Sequence, residues 1–297
     1  MAGRPPPDAR NPEELADFGV IPLDKPSGPT SHQVSTWVRD LLDVDRAGHA
    51  GTLDPGVTGC LPVLTGDATR LAGALSAAPK AYVAVLEVHG PLPEGWEATV
   101  ARFEGPIYQR PPRKSAVERT RRVREIHRLE VLERTERHVL LAVECEAGTY
   151  VRKLCHDLGL ALGTGGHMAD LRRTQTGPFD DGDLVTLHDV ADGVADWRSN
   201  GRTDWYEDAV RPAEAALAHL PQVTIAPSAA AAVATGAPVY APGVLEAPAG
   251  LDPDEAPLVA CVEPDGAAVC LGRLVGDPGA DRGVVVDLER VLVSDDG

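Results

Sequence analysis

Residues 48–59, which read GHAGTLDPGVTG, set a single carboxylate, Asp54, among four glycines. Glycine lets the backbone approach another chain or a ligand closely, and Pro55 restricts the backbone directly after the carboxylate. A rigid loop that carries one Asp is suited to hold a nucleophile or a base. The same pattern also fits a tight turn in which Asp54 is only a local cap.

The segments around this loop alternate between helical and extended hydrophobic spacing. Residues 31–43 have the spacing of a helix that Thr30 or Ser31 can cap, and residues 150–162 repeat that periodicity. Alternating apolar residues predict strands over 81–89 and 139–147. Helices and strands mixed over about 200 residues indicate an α/β or α+β domain.

The pattern changes near Leu220 and Pro221. A small helix follows, for which Ser228 is the predicted N-cap and Gly236 lies just past the end. Short strands are predicted around it, over 223–226, 257–262, 267–275 and 283–293. This part of the chain therefore indicates a compact β-barrel module.

The chain is acidic, with 45 Asp and Glu against 28 Lys and Arg and a formal net charge of −17. Such a balance argues against general electrostatic binding to nucleic acid in dilute salt. Acidic residues in excess and only four lysines resemble the composition of proteins from a high-salt cytoplasm. In molar salt the Debye length is only about 3 Å, so local contacts decide what binds.

One basic segment stands out, because residues 102–128 contain nine basic and three acidic residues. Residues 180–219 contain ten acidic and three basic residues, and residues 221–297 contain twelve and three. The basic segment is where an anionic partner would make contact. The alternative is a solvated strand-loop-strand face.

Other features of the sequence exclude several classes of protein. The five cysteines form no C-x-x-C motif, so neither a disulfide framework nor a zinc site is indicated, and buried thiols are expected. No apolar run of about 18 residues is present to span a membrane. Residues 1–11 lack the apolar core of a secretory signal and suggest a disordered tail, so a cytoplasmic location is expected.

Five stretches in this order resemble the pseudouridine synthases of the TruB and dyskerin type. They are LDKPSGPTS (23–31), GHAGTLDP (48–55), KAY (80–82), GTYVRKL (148–154) and HMADLRRTQTGPF (167–179). The stretch GHAGTLDP followed by GTYVRKL is highly specific for this family. The similarity covers nearly the whole chain from Gly19 on. The length of the last 77 residues and the stretch 227–243 resemble the archaeal and eukaryotic branch, and the lack of a long Lys-rich tail favours an archaeal source. The resemblance implies an α+β catalytic domain over 19–219, built as a mixed, largely antiparallel sheet with flanking helices. A tail (1–18) precedes it, and a small β-barrel of the RNA-binding PUA type (220–297) follows.

The resemblance also assigns roles in isomerising uridine to pseudouridine. Asp54 matches the catalytic carboxylate, and Arg152 matches the basic residue that fixes it. Tyr82 matches an aromatic platform for a flipped uracil, although a core tyrosine is the alternative. His49 is expected to position RNA or to cap the loop. Leu171 is expected to form an apolar wall or ordinary core.

Further residues receive weaker assignments. The family's mobile substrate-gripping loop corresponds to residues 108–115, where Arg110, Arg113 and Lys114 are expected to contact RNA. Lys25 matches a residue that packs beneath the active site.

The implied partners follow from the family alone. They are tRNA, with its T-loop uridine 55, and box H/ACA guide RNA with rRNA targets and three small H/ACA proteins. Isomerisation needs neither redox change nor hydrolysis, so no cofactor or metal is expected. A catalytically inactive RNA-binding scaffold is the alternative, and the joint presence of Asp54, Tyr82 and Arg152 argues against it.

Overall fold

The computed structural model describes residues 4–110 and 120–293 of the 297-residue chain. Its larger sheet comprises β1 (Gly19–Lys25), β2 (Ala47–His49), β3 (Thr58–Thr65), β4 (Lys80–Val88), β5 (Gly105–Gln109), β6 (Arg122–Arg134), β7 (His138–Cys145), β8 (Gly166–Thr176), β9 (Phe179–Asp180) and β10 (Arg211–Pro212). The main strand order is β10-β1-β3-β8-β4-β7-β6-β5, while β2 pairs with β3 and β9 with β8. In this part of the chain, neighbouring strands run antiparallel apart from β3 and β8.

Seven helices precede the second sheet in the described chain, and an eighth, α8, lies between its strands. They are α1 (Pro12–Asp17), α2 (Ser31–Leu42), α3 (Ala72–Ala77), α4 (Trp96–Ala101), α5 (Val151–Ala161), α6 (Leu187–Asn200), α7 (Asp204–Ala209) and α8 (Pro227–Ala234). Thr30 caps α2 in a reciprocal arrangement with Gln33, as one of the two predicted caps. The predicted cap of α8 is wrong. That helix begins at Pro227, because proline suits the first helical position, and Ala226 precedes it without a side-chain cap.

The second sheet forms the barrel-like C-terminal module. Its strands are β11 (Gln222–Ile225), β12 (Val239–Tyr240), β13 (Val244–Glu246), β14 (Leu258–Val262), β15 (Ala268–Leu274) and β16 (Val284–Val291). Their order in the described residues is β12-β16-β15-β14-β11-β13. An α+β fold with a largely antiparallel sheet and a small β-barrel is therefore confirmed, and the domain boundaries stay a prediction.

A shared core joins the barrel to the larger sheet. Phe18, Leu64 and Leu71 from the N-terminal half lie in one buried cluster with Leu271 and Leu292 from the barrel. Burying apolar surface between the two sheets stabilises their arrangement, at about 25 cal/mol for each Å² removed from water. The barrel is consequently packed against the sheet that carries the site described below.

The expectation of a disordered tail is wrong for residues 4–11. Arg10 is buried, and its guanidinium donates two hydrogen bonds of 2.7 Å to Glu214. Glu214 also accepts a 3.1 Å hydrogen bond from the backbone of Ala268 in the barrel. Arg4 donates to the carbonyl of Leu292 at 3.2 Å and lies over the Phe18 ring. Arg4 and Arg10 thus have partners beside both sheets, at Phe18, at Glu214 and at the end of β16.

Candidate active site

Asp54 lies in the loop between β2 and β3, at the start of a tight turn. The backbone amide of Val57 donates a 3.0 Å hydrogen bond to the Asp54 carbonyl, and Pro55 takes the second position of this turn. Gly59 ends the loop with a φ of +98°, and a Cβ there would lie 2.2 Å from the Arg173 carbonyl. That position therefore requires glycine, which allows β3 to approach β8 where Gly59 pairs with Arg173.

The Lys25 side chain donates hydrogen bonds to the backbone of this loop. It is fully buried, and its ammonium donates hydrogen bonds to the carbonyls of Pro26 (2.8 Å), Pro55 (3.0 Å) and Val57 (2.9 Å). Burial lowers the pKa of Lys25. The expected place of this lysine beneath the site is thus observed, with contacts to two carbonyls of the turn.

Two further side chains fix the preceding half of the loop. Ser31 at the start of α2 accepts from the Leu53 amide at 2.8 Å and donates to the Leu53 carbonyl at 3.0 Å. Arg173, which is 1% exposed, donates to the carbonyls of Cys60 (2.7 Å) and Gly51 (2.8 Å). The residues directly before Asp54 are therefore tied to α2 and to β8.

Arg152 forms an ion pair with Asp54. Arg152 lies in the first turn of α5, so the pair joins the loop to this helix. Both side chains are about half exposed, at 49% for Arg152 and 54% for Asp54. The carboxylate is accordingly both charge-paired and accessible to a substrate.

A cavity of about 560 Å³ opens over this ion pair. Its wall includes the predicted residues Tyr82 and Leu171, and Met168 adds apolar surface. Burial raises the pKa of the Tyr82 phenol, which the neighbouring Arg173 charge opposes. The structure therefore brings Asp54, Arg152, Tyr82 and Leu171 together around one space of ligand size.

His49 lies beside the cavity instead of in its wall. One ring nitrogen is 3.0 Å from the Ser35 hydroxyl of α2, and the other is 3.2 Å from the Thr52 hydroxyl of the loop. Burial, followed by the charges of His32 and Arg173, lowers the pKa of His49. These contacts support the loop-capping alternative, and a role in RNA positioning stays a prediction.

The basic segment borders a second hollow of about 660 Å³, where α5 faces β5. Arg102, Arg110 and Arg121 are among its lining residues, together with the exposed Tyr108. Arg113 and Lys114, which were predicted to contact RNA, lie outside the described residues.

Lys80 is a cavity residue that received no role from the sequence. Its buried ammonium donates to the carbonyls of Leu75 (3.4 Å), Ser76 (2.5 Å) and Ala78 (2.5 Å) at the end of α3. Positive charge is favourable at a helix C-terminus. Burial, with the nearby Arg173 charge, lowers the pKa of Lys80 to about 8.

This shift predicts how stability depends on pH. Between pH 8 and 10.5 the unfolded chain keeps a proton on Lys80 that the folded chain releases, so stability rises with pH across this window. The free energy of unfolding of the wild type should therefore increase relative to Lys80→Met, by at most about 3 kcal/mol. Denaturant titrations of both proteins at pH 7.5, 9 and 10.5 measure this difference, and a constant difference would contradict it.

Arg173 and Gln109 also received no role from the sequence. Of the two, only Arg173 could have been found, from its spacing on a strand. Arg173 follows Leu171 by two residues on a strand, so both side chains point to the same face. Gln109 ends β5 and is 2% exposed.

The described residues indicate neither disulfide bonds nor a metal site. The five cysteines are free and buried, as expected. Within residues 4–110 and 120–293, no cluster of three His, Cys, Asp or Glu side chains has the arrangement to hold a metal ion.

Three family models match segments of the chain. One describes the N-terminal domain of TruB family pseudouridylate synthases and matches residues 39–93. Another describes the C-terminal domain of tRNA pseudouridylate synthase B and matches residues 152–218. The DKCLD (NUC011) domain matches residues 2–35. The segments that carry Asp54, Tyr82, Arg152 and Leu171 thus fall within the two synthase models.

Relatives at full length are similar to the whole chain. "Probable tRNA pseudouridine synthase B" from Halobacterium salinarum is 59% identical over 99% of this chain and 100% of its own length. The protein of that name from Haloarcula marismortui is 57% identical over 99% of this chain and 94% of its own length.

Solved structures share the fold at similar coverage. A chain in a crystal structure of a Cbf5-Nop10-Gar1 complex is 45% identical, with a TM-score of 0.92 over 98% of this chain and 90% of that chain. A chain in an H/ACA RNP bound to a substrate RNA containing 2′-deoxyuridine is 43% identical, with a TM-score of 0.90 over the same shares.

Proposed function

The chain belongs to the archaeal TruB/Cbf5 family of pseudouridine synthases, and we propose that it isomerises uridine in RNA with Asp54 as the catalytic carboxylate. The ion pair between Asp54 and Arg152, at the mouth of a cavity also lined by Tyr82 and Leu171, carries this assignment. The inactive-scaffold alternative has no comparable support, because a scaffold requires none of these groups to meet.

The geometry suits the bond changes of the reaction. Isomerisation breaks the bond between N1 of uracil and C1′ of ribose, turns the base, and joins C5 to C1′. An ionised carboxylate serves whether Asp54 attacks the sugar, adds to the base or removes a ribose proton. Arg152 favours that ionised form by its charge.

Tyr82, Leu171 and Met168 provide the surface on which the detached base turns. An aromatic face contributes about 1–3 kcal/mol for a stacked base, and the apolar side chains provide contact surface for it. The Tyr82 hydroxyl is a group that could guide the proton leaving C5 after the new bond forms.

Two substrate classes follow from the relatives. The halophile relatives carry the name tRNA pseudouridine synthase B, which supports action on tRNA. We propose the T-loop uridine 55 as the target in tRNA. The H/ACA complexes support action within an H/ACA RNP, with Nop10- and Gar1-like proteins as partners. Guide RNA and rRNA targets are proposed from the resemblance to this family. We assign RNA binding to the barrel as a PUA module and to the hollow lined by Arg110. RNA contacts by Arg113 and Lys114 stay predictions from the sequence.

Purified chain and RNA transcripts test this proposal in molar KCl. Pseudouridine is measured on unmodified tRNA and on an rRNA fragment, each with and without guide RNA and the partner proteins. Activity on tRNA alone, and on rRNA only with guide and partners, supports both roles. RNA binding without pseudouridine formation under every condition would leave only the inactive-scaffold alternative.

The acidic surface predicts that salt stabilises the protein. The net charge of −17 repels itself in dilute solution, and this repulsion is screened in molar KCl. The midpoint of thermal unfolding should therefore rise from 0.05 M to 2 M KCl. A melting curve that does not move between these concentrations would exclude adaptation to salt.

The location we propose is the cytoplasm. Among the described helices, none has both the length and the apolar character needed to cross a bilayer.

A further inference from the structure

Gln109 makes an unusual contact with the helix that carries Arg152. Its side-chain oxygen accepts a 2.9 Å hydrogen bond from the Tyr150 amide, and its side-chain nitrogen donates a 3.2 Å hydrogen bond to the Tyr150 carbonyl. Both bonds go to the backbone of one residue, and Gln109 is 2% exposed. The buried amide thus pairs with Tyr150 as the backbone of a neighbouring strand would.

Tyr150 is the residue from which α5 starts. It is the N-cap of the helix, without a side-chain cap of its own. Its carbonyl accepts the first helical hydrogen bonds, from Lys153 at 2.9 Å and Leu154 at 3.0 Å. Gln109 therefore supplies a partner to an amide that α5 itself leaves unpaired.

A second side chain, that of Arg124, contacts the turn before α5. Arg124 of β6 donates to the Gly148 carbonyl at 3.3 Å and to Glu146 at 2.8 Å. Gly148 has a φ of +78°, and a Cβ there would lie 3.2 Å from the Arg124 guanidinium. Arg124 and Gln109 together fix the backbone from which Arg152 projects.

Arg152 needs such support because its pair with Asp54 is about half exposed. Exposed ion pairs contribute only about 0–1 kcal/mol, too little to define one geometry of two flexible side chains. The backbone of the first turn of α5 consequently determines whether the Arg152 guanidinium can reach Asp54.

We propose that Gln109 is a positioning residue for pseudouridine formation, which holds Arg152 against Asp54 by fixing Tyr150. This inference rests on the proposed function, because it requires that the Asp54–Arg152 pair carries the chemistry. Gln109 also pairs in register with Arg122 at the ends of β5 and β6. The same residue thus ties the basic segment to the start of α5.

Single-turnover pseudouridine formation on unmodified tRNA transcript tests this proposal. Gln109→Met removes both hydrogen bonds at nearly constant volume and should slow the reaction by about 10²-fold, the usual cost of misplacing a catalytic group by 1 Å. RNA affinity should not fall in proportion. Gln175→Met is the matched control, since it removes an exposed hydrogen bond to Gly177 and should leave the rate unchanged.

A double-mutant cycle separates positioning from a general structural role. If Gln109 acts through Arg152, Gln109→Met should have little further effect in an Arg152→Met background. Gln109→Asn keeps an amide donor and an amide acceptor on a side chain shorter by one methylene and should lie between wild type and Gln109→Met, which covers the case that Gln109→Met folds poorly. An equal slowing in both backgrounds, or full activity of both Gln109 variants, would overturn the inference. Full activity of Asp54→Asn would instead overturn the proposed function.

Discussion

Asp54→Asn should abolish pseudouridine formation and leave RNA binding intact. Asparagine has the shape of aspartate, so the turn and the cavity remain, but the neutral amide can neither attack nor remove a proton. Enzymes accelerate their reactions by about 10⁶-fold or more, and we expect loss of at least about 10⁴-fold of this acceleration. The measurement is the single-turnover rate on unmodified tRNA, with RNA affinity measured in parallel.

The control for this variant is Asp40→Asn on the surface of α2. Asp40 pairs with Arg39 in an exposed contact away from the cavity, so the rate should equal that of wild type. Asp54→Asn that turns over at the wild-type rate would remove the catalytic assignment. Loss of RNA binding together with activity would show that Asp54 serves the substrate complex instead of the chemical step.

Lys25→Met should cost both stability and activity. Two of the three carbonyls that accept from Lys25 belong to the Asp54 turn, and a buried acceptor without a donor costs about 1–3 kcal/mol. Relief from burying an ammonium group offsets part of this. We expect a net loss of about 3 kcal/mol in the free energy of unfolding and a rate lower by about 10²-fold.

Denaturant unfolding and single-turnover kinetics measure the two effects of Lys25→Met. Arg39→Met serves as the control, since it removes a basic side chain that is 44% exposed and should change stability by less than about 0.5 kcal/mol. An unchanged free energy of unfolding for Lys25→Met would show that the loop keeps its shape without this ammonium.

The parts of the site that the sequence predicted are those with local signals. The loop of residues 48–59 shows its glycines and its carboxylate directly, and the spacing of apolar residues located α2, α5, β4 and β7 to within about two residues. Tyr82, Arg152 and Leu171 received roles only through the family motifs, and the structure brings them to one cavity.

The missed residues share a physical reason. Lys80 and Arg173 donate to main-chain carbonyls, which every residue has, so the sequence does not show which partners they have. Arg173 reaches Cys60 across 113 positions, and Arg10 reaches Glu214 across 204. Pairings at such separations depend on the folded arrangement, which is why residues 4–11 were taken for a tail.

The buried contacts between these cations and main-chain carbonyls determine how the catalytic loop responds to concentrated salt. Surface ion pairs weaken as ions accumulate around them, whereas contacts out of reach of solvent ions are screened much less. The scaffold under Asp54 is therefore insulated from the ionic strength outside. A lineage moving between fresh and saturated waters could replace its surface charges freely while the catalytic loop kept one shape.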